Sequence, residues 1–231
     1  MRQPTSLVNP TEDEYWRIYD LIRGDVEAAI KSNRVYFTVN NLVVEDRKIQ
    51  DKINRAPEFW QLNAYALQTT FFIAFGRLFD VRCNAHSVLK LVDATIANPQ
   101  LFSKSALRAR KRKASNIHGA DPEWLVIYLA DAWQPATADL APFKSALEPH
   151  YRKFKDIYQP IRHLFFAHRG MERDTEIFER FQKTNVLHTL LWAIWQMGWN
   201  AKRPDLTDFS DYDGWVKGLN AKTEKFIRQL P

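Results

Sequence analysis

Apolar residues recur at three- and four-residue intervals along most of this chain, a spacing that predicts helices and not strands. Thr11 and Glu14 form a capping-box pair just ahead of Tyr15, Ile18, Tyr19, Ile22, Val26, Ala29 and Ile30, which predicts a first amphipathic helix. The β-branched run VYFTVNNLVV at 35–44 fits a short strand or hairpin as well as a continuation of that helix. Pro57 opens a second long helix, with Leu62, Tyr65, Ala66, Thr69, Phe72, Ile73 and Gly76 on its inner face and Leu78, Phe79 and Asp80 after them. Ser87 caps a third, whose stripe is Val88, Leu91, Val92, Thr95 and Ile96 and which stops at Asn98-Pro99.

Asp121-Pro122-Glu123 is a start signal for a short helix from Trp124 to Trp133, closed by Pro135. Leu147, Tyr151, Phe154, Tyr158, Ile161 and Leu164 keep helical spacing through Pro149 and Pro160, which predicts a kink or restart near Pro160 and a stop at Gly170. Another long helix is expected from Asp174 to Gly198, with Ile177, Phe181, Leu187, Leu190, Leu191, Ile194 and Trp195 inward. A polar loop, Asp205 to Gly214, then leads to a terminal helix through Trp215, Leu219, Phe226 and Leu230. The expected architecture is all-α: a tail at 1–10, one helical domain at 11–200, and a loop with an amphipathic helix at 201–231.

Composition supports a packed globule, with 45% apolar and 13% aromatic residues and only 7 Gly and 11 Pro to interrupt helices. A single Cys83 excludes an intrachain disulfide and a cysteine-based zinc cluster, which fits a cytoplasmic location. The N-terminal residues have no signal-peptide core, and the greasiest stretch, Val186 to Trp199, is shorter than the roughly 20 residues of a membrane span, so no membrane association is expected. The net charge of +6 has a local origin. Lys104, Arg108, Arg110, Lys111, Arg112 and Lys113 fall within ten residues, with no acid from Ala94 to Ala120. Removing these six from the 33 cations balances the rest of the chain against its 27 acids. Such a patch suits phosphate contacts with RNA, and equally a solvated helix or an acidic protein partner.

The segment RHLFFAHRG, from Arg162 to Gly170, carries the strongest chemical signal. Arg162 can hold a phosphate and stabilise charge developing on phosphorus, while His168 moves a proton. RNA supplies its own nucleophile, the 2′-OH, so this chemistry needs no metal or other cofactor. Six helical positions correspond to about 600°, so a straight helix would hold the two side chains roughly 120° apart. A helix end near Gly170, or a symmetric second chain, is needed to gather them. From spacing alone, His168 also continues the stripe of Ile161 and Leu164 and fits a core histidine.

RHLFFAHRG resembles the R-x4-6-H signature of the HEPN superfamily (higher eukaryotes and prokaryotes nucleotide-binding), with His163 at the polar position after the arginine. Tyr15-Trp16, FGRLFD at 75–80, the Ser-Val-Leu helix start and the closing AHRG resemble its abortive-infection, AbiU-type branch, over most of residues 12–200. The resemblance implies a helical bundle acting as a metal-independent endoribonuclease of a toxin or phage-defence type. It further implies RNA as substrate, a homodimer with both motifs at the interface, and an antitoxin or defence partner. Arg162, His163 and His168 are the residues it carries over, and Arg169 has no defined role in it. A noncatalytic HEPN module that binds RNA or a partner protein is the alternative.

Three further readings complete the sequence. Arg77 and Asp80, three apart, suit a structural ion pair better than a cleft lining. His86, His118, His150 and His188 lack the close pairing and carboxylate partners of a metal site. The Trp-rich stretch from Trp192 to Trp199 suits core or dimer interface better than base stacking.

Overall fold

The computed structural model describes residues 10–80, 86–159 and 185–230, and every regular element among them is helical. The first helix, α1 (Glu12–Glu45), is about 50 Å long. Its start is the capping box: the Glu14 N–H donates to Thr11 Oγ1 at 3.3 Å and the Thr11 N–H donates to the Glu14 carboxylate at 2.9 Å. Its stripe from Tyr15 to Ile30 is buried as its spacing requires.

The ambiguous run at 35–44 is helical and continues α1. Tertiary partners outweigh its β-branched composition. Leu42 is buried against Ile49 and Ile227, and the Thr38 hydroxyl donates to Asn220 Oδ1 at 3.2 Å. Asp46 ends α1 and caps α2 (Arg47–Ile53), accepting from the Lys48 N–H at 2.9 Å.

The next helix, α3 (Pro57–Leu78), begins at its proline and runs along α1. Only its C-terminal half is buried, through Phe71, Phe72, Ala74, Phe75 and Leu78. Phe75 packs on Phe71, Phe79 and Phe154, and these contacts set the rotation of the helix. The expected inner face is therefore corrected: Leu62, Tyr65 and Ile73 are 66%, 61% and 45% exposed. Ile73 lies two residues from Phe75, about 200° around the helix, so burying one turns the other outward. Arg77 donates to Asp25 on α1 at 2.6 and 3.1 Å, an interhelix pair in place of the expected one with Asp80.

Ser87 caps α4 (Val88–Ala97), whose Thr95 hydroxyl meets the Tyr15 hydroxyl at 2.6 Å inside the core. A single 3-10 turn, Pro99–Phe102, precedes α5 (Lys104–Ala114) and α6 (Glu123–Ala130). Then α7 (Thr137–Lys153) widens into a π turn, Phe154–Tyr158, just before Pro160. The helix α8 (Asn185–Trp195) likewise ends in a π turn, Gln196–Asn200, and Ala201 leaves it in the left-handed region at φ 46°.

The last helix, α9 (Ser210–Arg228), starts earlier than the polar pattern implies. Asp205 and Asp208 are turn residues, accepting from the Thr207 and Ser210 N–H groups at 2.8 and 2.9 Å. The Thr207 hydroxyl, which donates to Asp205 at 2.7 Å, and then the Thr207 N–H hold the Asp205 carboxyl below its ordinary pKa, and the Ser210 N–H does the same for Asp208. Asp211 and Asp213 complement the positive end of the helix. Its inward residues are Tyr212, Val216 and Ile227, while Phe226 is exposed.

One core joins α1, α4, α7 and α8 to the C-terminal half of α3 and the first turns of α9. The helix α5 is added against the turns at 99–102 and 196–200, and α6 packs on α5. This attachment leaves no room at Gly198, where an added Cβ would lie 2.2 and 2.3 Å from the Trp16 ring. Gly198→Ala is expected to destabilise the fold by about 2 kcal/mol, read as a lowered denaturant midpoint with unchanged slope. An unchanged midpoint would contradict this packing.

Candidate functional site

Arg162, His163 and His168 lie outside the described residues. Phe154 stacks on Phe79 at 4.9 Å, and Leu187 is 2% exposed. Both belong to the same core, which anchors the chain on either side of the motif.

The basic segment is fully described, and it forms α5 with Ser103 as its cap. The fold brings acids to it from elsewhere in the chain. Arg108 and Arg112 both pair with Asp121, and hydrogen bonds from Arg108 and then Arg112 hold the Asp121 carboxyl below its ordinary pKa. Arg112 also donates to the carbonyls of Ile117 at 3.3 Å and Gly119 at 2.6 Å, closing the loop before α6. Lys113 reaches Asp13 at 3.1 Å, with both side chains well exposed, an arrangement worth little in water.

Arg110 sits differently. It is 5% exposed, pairs with Glu12, donates to the carbonyls of Gly198 and Leu101 at 2.8 Å, and lies over the Trp16 ring. Burial pulls its pKa down, opposed by the Glu12 hydrogen bond and charge. Expected at a phosphate surface, it is an internal strut between α5, α1 and the π turn after α8.

Lys104 donates to the Ala130 carbonyl at 2.8 Å at the end of α6. Lys111 lies 5.1 Å from the centre of the Tyr128 ring, and partial burial with the nearby Arg110 charge lowers its pKa. The outward cationic surface is thus narrower than the sequence implies, with Arg108, Lys111, Arg112 and Lys113 at its edge.

A family model described as AbiU2, of the HEPN type, matches residues 12–212, which takes in the motif and the basic segment. The chain belongs to this HEPN abortive-infection family. No curated protein and no solved structure matches it.

Within the described part of this HEPN protein, no group of three or more His, Cys, Asp or Glu side chains could hold a metal ion. Nor is any described helix long and apolar enough to cross a membrane. His188 is half-buried and stacks on Trp215 at 5.6 Å, and burial lowers its pKa. A feature that composition did not single out is a hollow of about 530 Å³ between α6 and the chain at 200–202. Its signal was present in α6, where EWLVIYLA has one charge and buries only Leu125 fully.

Proposed function

We propose that this HEPN protein is a metal-independent endoribonuclease of a toxin or antiviral-defence type. The observation that carries the reading is RHLFFAHRG, an arginine and a histidine at the superfamily's spacing inside the matched span. His168 takes the proton of a 2′-OH, whose oxygen attacks the adjacent phosphorus. Arg162 holds the non-bridging oxygens as charge builds on them, and His163 sits beside it to orient the phosphate. The P–O5′ bond breaks, leaving a 2′,3′-cyclic phosphate on one fragment and, after protonation, a 5′-OH on the other. Incubation in excess chelator is expected to cut RNA and leave DNA of the same sequence intact, because DNA lacks the attacking hydroxyl. Cutting of both, or of neither, contradicts the reading; salt-sensitive RNA binding without cutting favours a noncatalytic HEPN module instead.

The homodimer in this reading finds support in α3. Phe59, Leu62, Ala66, Thr70 and Ile73 are all exposed, and from Phe59 to Gly76 there is no charged residue. Their spacing of three, four, four and three is symmetric about Ala66. Two antiparallel copies about a two-fold axis across the helices would set the Phe59 end of one helix against the Ile73 end of the other. Light scattering is expected to give a dimer for the native chain and a monomer for Leu62→Glu/Ala66→Glu. A native monomer, or a variant that still dimerises, contradicts this placement.

A further inference from the structure

The hollow beside α6 is a second candidate site, remote in sequence from the arginine–histidine motif. Trp124, Ile127 and Tyr128 of α6, with Asp131 just past its end, form one wall, and Asn200 and Lys202 stand on the other. Both walls are held by hydrogen bonds. The Trp133 N–H donates to the Ala201 carbonyl at 2.9 Å, and the Tyr128 hydroxyl donates to the Trp199 carbonyl at 3.2 Å. The α6 face is apolar and open, with Trp124 and Ile127 48% and 58% exposed.

We propose that this hollow binds an unpaired nucleobase of single-stranded RNA, with Trp124 as the stacking face and Lys202, which lines the same hollow, taking the flanking phosphate. The shape and charge both select this occupant. A partner helix needs a groove of several turns, whereas α6 is eight residues and about 12 Å long. A flat ring beside an anion matches an exposed indole face with the Lys202 ammonium in the same lining. Asp131, the acid in the lining, opposes a phosphate but accepts from an exocyclic amine, which places the base edge on its side and the backbone toward Lys202. An unpaired base is favoured, since a paired one must first leave its stack, which costs free energy.

This inference rests on the reading that the protein handles RNA, and deepens it by naming an unpaired strand as the form bound. The test uses the full chain and a short 2′-O-methyl RNA, which cannot be cleaved through its 2′ oxygen, so binding is read apart from chemistry. Titration by fluorescence anisotropy is expected to show about tenfold weaker binding for Trp124→Leu, near-native binding for Trp124→Phe, and loss for Lys202→Glu. The salt slope should be shallow, about −0.7 for each phosphate held. Matching circular dichroism melts for the three variants show that the fold is kept. If the native chain binds and all three variants bind equally well, the subsite is overturned while the RNA reading stands. If the native chain binds no RNA, both fall. If Trp124→Leu instead releases a bound protein and leaves RNA affinity unchanged, the face belongs to a protein partner and the proposal fails.

Discussion

Arg110→Ala is expected to lower the unfolding free energy by about 3 kcal/mol, while Lys113→Ala changes it by less than about 0.5 kcal/mol. The two residues stand three apart in one basic run and would be equivalent on a uniformly solvated cationic face. In the fold they are not. Removal of Arg110 strands the Gly198 and Leu101 carbonyls, leaves Glu12 without its partner, and takes a cation from the Trp16 ring. Glu12 is 33% exposed and can recover water, which holds the expected loss at the lower end for a broken buried pair. Lys113 and Asp13 already face solvent on both sides. Chemical denaturation of the two variants decides the matter. Equal stability in both would contradict the strut role of Arg110.

His168→Ala is expected to slow RNA cleavage by about 10²- to 10⁴-fold with little change in RNA affinity, because a general base contributes in the transition state and not to ground-state binding. Arg162→Ala should cost a similar factor in rate and also weaken binding, since a guanidinium holds phosphate in both states. Single-turnover kinetics with enzyme in excess separates the two effects. The rate against pH should rise with deprotonation of one group near neutrality in the native chain, and that limb should vanish in His168→Ala. A native rate in His168→Ala would remove the histidine from the mechanism.

Much of the bundle was legible because local signals and tertiary packing agree. The Thr11–Glu14 box, Pro57 and Ser87 each begin the helix that they announce, and the Tyr15 to Ile30 stripe is core. The rest depended on neighbours far along the chain. Helix α3 carries apolar residues on more than one side, and only Phe71, Phe75 and their contacts with Phe79 and Phe154 decide which side faces inward. Residues 35–44 could take either form until Ile49, Ile227 and Asn220 met them.

The basic run shows the same limit in its charges. Its lack of nearby acids in sequence is undone by Glu12, Asp13 and Asp121, which no window around residues 104–113 would weigh together. The arginine–histidine motif was legible as a spacing and as a family resemblance. On an ideal helix that spacing would set Arg162 and His168 about 120° apart, so the proposed site calls for a chain reversal or a second subunit.

The termini of the RNA fragments reveal which oxygen attacks the phosphorus. With excess chelator present, the native chain is expected to leave 2′,3′-cyclic phosphate on the upstream fragment and 5′-hydroxyl on the downstream one. Those ends require the 2′ oxygen to be the nucleophile. Upstream fragments ending in 3′-hydroxyl, or RNA that stays whole under the same conditions, would contradict the account.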